Sequence, residues 1–165
     1  MAKLFWYDAN RGSATSEQEK LALEQQMPGR WSAATFADIK SGLSALQTKP
    51  FDAIVTVMED RPGATGQLTS LVIHDEAARL KLTAPRFVMT NLDTAVVTEF
   101  ITARYPNPAD RPIVVPRNPL MAQHPAQDLG TKIMPLLLQG AAVAPSPEKP
   151  SLPTTTRLPP DNKPK

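Results

Sequence analysis

The segment that most constrains this fold is Phe51-Asp52-Ala53-Ile54-Val55-Thr56-Val57-Met58. Its inner residues are almost all apolar and rich in β-branched side chains. Such a run suits a strand covered on both faces, which is the position of a central strand in a parallel sheet. Arg61-Pro62-Gly63 breaks the run. Strand and helix signals alternate on either side of it. Leu4 to Asp8 reads as a first strand. Ser13 to Arg30 reads as a first helix, with Ser16 and Glu19 at capping-box spacing and Pro28-Gly29 as a stop. Trp31 to Ala34 is a short second strand. Thr35 to Gln47 is a second helix, with Phe36, Ile39, Leu43 and Leu46 on one face.

The alternation continues past the central run. Gln67 to Lys81 forms a third helix and Arg86 to Thr90 a fourth strand. Asp93 caps a fourth helix holding Val96, Val97, Phe100 and Ile101. Tyr105 to Asp110 is a proline-rich loop, and Arg111 to Arg117 a fifth strand. Proline cannot donate to a sheet ladder, so Pro112 and Pro116 assign that strand to an edge. A last helix is expected from about Ala126 to Leu138, shortened or kinked by Gly130 and Pro135. Five strands alternating with helices predict an α/β fold: a flavodoxin-like five-stranded parallel sheet of order 2-1-3-4-5, helices on both faces.

Composition separates this unit from the C-terminal segment. Of 18 prolines, seven lie after Gly140 and six between Pro106 and Pro125, so the excess is local. Residues 1–140 are expected to form the domain, and residues 141–165 a disordered, proline-rich tail. The net charge of +2 is local too. Residues 1–140 carry 14 basic and 14 acidic side chains, and the tail supplies the surplus. The basic surplus is therefore no evidence for a nucleic-acid surface on the folded part, and a nucleic-acid partner is not expected. There is no cysteine, which excludes disulfides, thiol catalysis and Cys-ligated metals. No stretch has the length of a membrane span, and the start does not read as a signal peptide, so a cytoplasmic location is expected.

In sheets of this order, ligands bind beyond the C-terminal strand ends, at the switch point between strands one and three. Asp8, Ala9 and Asn10 fall there after strand one, and Met58, Glu59 and Asp60 after strand three. Thr90 and Asn91 follow strand four, and Arg117 ends strand five. This pattern resembles the response-regulator receiver domain across roughly residues 3–138. The resemblance implies a pair of acids after strand one, a phosphoacceptor aspartate ending strand three, Thr or Ser after strand four, and Lys before a proline after strand five. Trp6-Tyr7-Asp8-Ala9-Asn10 keeps one acid and puts Ala9 in place of the other. Val57 stands at the acceptor position, Thr90 matches the hydroxyl, and Arg117 in Pro116-Arg117-Asn118-Pro119 replaces the lysine.

These departures point to a degenerate site of Asp8, Val57, Glu59, Asp60, Thr90 and Arg117 with no catalysis and no expected metal or cofactor, the alternative for the metal being a weak Mg²⁺ site of Asp8 with a folded-back Glu59 or Asp60. The expected function is a pseudo-receiver, a protein-interaction module of signalling or regulation. The resemblance implies docking of a protein partner, or of a second copy, on the face of helix four, strand five and helix five, with Tyr105, Ile133, Leu136 and Leu137 as contacts. One alternative is a small enzyme acting on a nucleotide or nucleoside, with Asp8, Glu59 and Asp60 splitting acid and base roles. A second alternative is a receiver phosphorylated at a displaced Asp60 or Glu59. His74 and His124 lie too far apart to read as a metal motif, and no phosphate-binding glycine loop is present.

Overall fold

A computed structural model of the chain describes residues 1–9, 14–58, 66–117 and Pro135. Five parallel strands form one sheet of order β2-β1-β3-β4-β5. They are β1 (Ala2–Tyr7), β2 (Trp31–Phe36), β3 (Ala53–Met58), β4 (Arg86–Thr90) and β5 (Ile113–Pro116). The connections are α1 (Ala14–Gln26), α2 (Ile39–Thr48), α3 (Gly66–Arg79) and α4 (Thr94–Arg104), with a 3₁₀ turn at Pro108–Asp110 before β5. This is the order expected from the alternation of signals. All six residues of β3 and all five of β4 are buried.

The strand period of two divides the core. Leu4 and Trp6 of β1 face Leu23 of α1 and Met27 just after it, joined by Val55, Val57, Phe87, Met89 and Val115. Phe5 and Tyr7 point the other way, onto Ala45 and Leu46 of α2 and Ile73 and Ala77 of α3. Phe5 stacks on Phe36 at 4.8 Å and meets Phe51 edge-on at 5.3 Å. A third cluster joins Met58, Val88 and Leu71 to Val97, Ile101 and Tyr105 beneath α4.

Several boundaries differ from the expectation. Phe36 belongs to β2, which runs six residues in register with β1, and α2 begins only at Ile39. The reason is Asp38: its carboxylate accepts from the Ser41 amide at 2.8 Å, a side-chain cap that fixes the helix start. Ser16 does not cap α1 either. It is the third helical residue, so the Ser16–Glu19 spacing marks two residues on one helix face. Helix α3 stops at Arg79. Lys81 takes φ 54°, with Leu82 N–H donating to the Ala77 carbonyl and Lys81 N–H to that of Ala78, a Schellman ending in which lysine replaces the usual glycine.

The edge assignment of β5 has a specific geometry. The Arg117 amide donates to the Thr90 carbonyl, so the amides of residues 113, 115 and 117 face β4. The outward positions are 112, 114 and 116, and two of these three are proline. The expected helix at residues 126–138 and the tail at 141–165 lie outside the described residues, apart from helical Pro135.

Candidate functional site

The C-terminal strand ends bring together three of the six residues expected there. Asp8 follows β1 and Arg117 follows β5; both are 2% exposed. Thr90 ends β4 and is equally buried. Val57, next to last in β3, is buried among Trp6, Met89 and the other apolar residues of the α1 face. Val57, the residue expected at the acceptor position, is a hydrocarbon side chain packed into the core. Glu59 and Asp60 lie outside the described residues.

Two further residues complete the cluster. Arg117 Nε donates to Glu19 Oε1 at 2.6 Å, and its Nη2 donates to Ser16 Oγ at 3.1 Å. Ser16 Oγ donates in turn to Asp8 Oδ2, which lies 3.9 Å from Arg117 Nη2. Ser16 and Glu19 are themselves buried, one turn apart on α1. A guanidinium thus spans from the end of β5 across to α1 and β1, with a hydroxyl between it and the aspartate. Arginine suits this role because its planar fork bonds two partners at once. Glu19 was legible only as half of a capping box; its three-residue spacing from Ser16 was the available signal for a shared buried face.

Thr90 is committed locally. Its hydroxyl accepts from the Leu92 amide at 3.1 Å, bracing the turn into α4, whose cap Asp93 accepts from the amides of Ala95 and Val96. Between these elements lies an open cleft of about 390 Å³, lined by Thr90–Thr94, Pro116 and Arg117.

A receiver's phosphoryl chemistry would use a divalent cation held by several oxygens. The described residues do not fit one here. Asp8 is held by Ser16 beside a guanidinium, Val57 offers no side-chain oxygen, and among the described residues no group of three or more His, Asp or Glu is arranged to hold a metal ion.

Of the four residues expected to contact a partner, Tyr105 alone is among the described residues. Tyr105 is not a surface ring: it is buried under α4, with its hydroxyl donating to Asp75 Oδ1 at 2.8 Å and to the Leu71 carbonyl at 3.3 Å. Burial, and then the bond to Asp75, push the phenol well above its ordinary range. The exposed apolar residues of this region are instead Val96 (64%) and Phe100 (51%) on α4, and Ile113 on β5. Ile133, Leu136 and Leu137 lie outside the described residues.

His74 is not a ligand on a surface. It is fully buried in α3 and bonded through Nε2 to Thr56 Oγ1 at 2.8 Å. Burial, and then the nearby Arg86 charge, push it down to about 3, so it is a neutral core histidine.

Comparison with solved structures agrees with the sheet order and fold. A Francisella response-regulator 1452 receiver domain superposes with a TM-score of 0.57 at 14% identity, covering 85% of this chain and 99% of that one. A receiver domain from Clostridium thermocellum gives 0.57 at 15%, covering 86% and 98%. A CheY-like receiver from Methanospirillum hungatei JF-1 gives 0.56 at 12%, covering 85% and 99%. The fold is that of a receiver domain. A de novo designed Rossmann 2x3 protein also matches, at a TM-score of 0.55 and 13% identity, covering 90% of this chain and 99% of that one, so the receiver-like fold by itself specifies no activity. No family model matches the chain, and no curated protein matches it in sequence. Among the described residues, no helix is long and apolar enough to cross a membrane.

Proposed function

We propose that the chain is a non-catalytic receiver-like module that acts in signalling or regulation through protein contacts. The observation that supports this reading most strongly is the buried Arg117 guanidinium, bonded to Glu19 and Ser16 beside Asp8. It fills from within the crevice where a receiver would gather a cation and a phosphoryl group. A cation already beside Asp8 weakens the attraction of that carboxylate for a second one. With Val57 at the acceptor position, β3 supplies no nucleophile there. The enzyme reading with Asp8, Glu59 and Asp60 loses its first carboxylate to the same network.

Output through the face of α4, β5 and the following helix is part of the proposal. Val96 and Phe100 support it, lying four residues apart and both exposed on α4. Ile133, Leu136 and Leu137 are proposed to extend the contact.

Incubation of the full chain with Mg²⁺ and acetyl phosphate, followed by intact-mass measurement, tests the loss of phosphotransfer. The expected result is an unmodified chain. A phosphoryl adduct mapping to Glu59 or Asp60 would replace this reading with that of a receiver using a displaced acceptor.

A further inference from the structure

Four arginines tie down the segment between the ends of β4 and β5. Arg86, buried at the start of β4, donates to the Asp110 and Leu82 carbonyls, each at 2.9 Å. Arg104, at the end of α4, grips Asp75 of α3 with both arms of its fork, Nε to Oδ1 at 3.1 Å and Nη2 to Oδ2 at 2.5 Å. Tyr105 adds its hydroxyl to the same carboxylate. Arg111 donates back to the carbonyls of Tyr105 and Pro106 at 2.6 and 2.7 Å. Arg117 closes the segment through Glu19 and Ser16. At the opposite end the Thr90 hydroxyl is occupied by the Leu92 amide.

We propose that these ties hold α4 and β5 in one conformation, so that the segment from Thr90 to Arg117 is a fixed platform with no switch between two states. This rests on the proposed function in taking that segment as the partner-facing side. A switch needs a second arrangement close in free energy, and discrete repacking at an interface to reach it. Any shift of α4 along α3 breaks the bidentate, solvent-exposed Arg104–Asp75 pair and withdraws the Tyr105 hydroxyl, which moves with α4, from Leu71 and Asp75 of α3. A shift of the 105–111 turn away from β4 breaks Arg86 from the Asp110 carbonyl, while the Arg111 bonds to Tyr105 and Pro106 hold the turn's own shape. An alternative arrangement must give up the buried Tyr105 and Arg86 contacts together, which raises its free energy. A surface fixed in this way binds without a cost of ordering, and its availability is set by the amount of protein rather than by an input signal.

The test is amide relaxation dispersion and native-state hydrogen exchange on the full chain. The platform predicts flat dispersion profiles for residues 90–117. It predicts that the Arg104→Gln/Tyr105→Phe double variant speeds exchange at the Ile101 and Tyr105 amides by about tenfold, while the β3 and β4 amides are unchanged. Should that variant fail to fold, Arg111→Lys, which removes the fork alone, is expected to speed exchange in the 105–111 turn instead. Dispersion across contiguous α4 and β5 amides in the unaltered protein would overturn the proposal, and so would wild-type exchange in a folded variant. Dispersion in untreated protein leaves the acetyl phosphate result standing, whereas a phosphoryl adduct leaves the dispersion profiles standing, so the two readings fail separately.

Discussion

Arg117 and Glu19 lie 98 residues apart in the sequence and meet as a 2.6 Å ion pair inside the protein. Neither is accessible, and each comes from a different layer: one from the end of an edge strand, the other from a helix beneath the sheet. Removing one partner strands the other charge in a medium that solvates it poorly. Arg117→Met is therefore expected to destabilise the domain by about 3–5 kcal/mol, read as a lower urea midpoint. Pairing it with Glu19→Gln should restore a large part of that loss, because neither buried ion then remains from the pair. Additive losses in the double variant would show that the two side chains do not depend on each other.

His74 sets a pH dependence whose sign follows from its burial. In the unfolded chain it titrates near its usual 6.5, whereas in the fold it is held down to about 3. Between those values the unfolded state binds one more proton, so stability falls as pH falls. The slope from this residue approaches about 1.4 kcal/mol per pH unit. Asp75 raises the histidine slightly and Arg86 lowers it. A His74→Gln variant keeps a partner for Thr56 and is expected to show a flatter stability curve from pH 6 to pH 4 in urea titrations. An unchanged curve would assign the acid sensitivity to carboxylates.

Much of the fold was legible because its signals are local. The β-branched run within Phe51–Met58 suits a covered strand, realised over Ala53–Met58, Asp93 caps where it stands, and the prolines around β5 place it at an edge. The boundary at Phe36 was not legible, since an apolar residue at a spacing of three from Ile39 fits a helix face as well as a strand; Asp38 decides it. The candidate site was half legible. Asp8, Thr90 and Arg117 were placed by topology. Glu19 was not, because its partner comes from the far end of the domain and a three-residue spacing suits a cap equally well. Tyr105 misled for a related reason: an aromatic after a helix can dock a partner or anchor that helix, and the choice rests on Asp75 of α3.

Gly42 of α2 packs closely against Ile73 of α3 and Phe5 of β1. A β-carbon there would lie 3.2 Å from Ile73 Cδ1 and 3.3 Å from Phe5 Cζ, and the Phe5 ring is held between Phe36 and Phe51. Helix propensity favours alanine over glycine by about 1 kcal/mol, yet overpacking costs about 1–3 kcal/mol. Gly42→Ala is expected to lose about 1 kcal/mol net, and Gly42→Val considerably more. Thermal melts of the two variants would check the order; a stabilised alanine variant would show that the helix can lift without cost.

The prolines of β5 should act as guards of the sheet edge. Both occupy outward positions, where an amide would otherwise be offered to a neighbouring strand. A Pro112→Val/Pro116→Val double variant is expected to associate as its concentration rises, as seen by sedimentation velocity, under conditions where either single variant does not. Sedimentation of the double variant identical to that of the unaltered chain would show that the edge is protected by other means.

The proposed function turns on Arg117 occupying the crevice in place of a cation and a phosphoryl group. A two-dimensional NMR titration of the full chain with Mg²⁺, and then with beryllofluoride, probes that crevice at the residues concerned. The amides of Asp8, Thr90 and Arg117 are expected to stay in place through millimolar Mg²⁺ and not to respond to beryllofluoride. Saturable shifts centred on Asp8 and Thr90, strengthened when beryllofluoride is added, would refute the occupied crevice and restore a working receiver site.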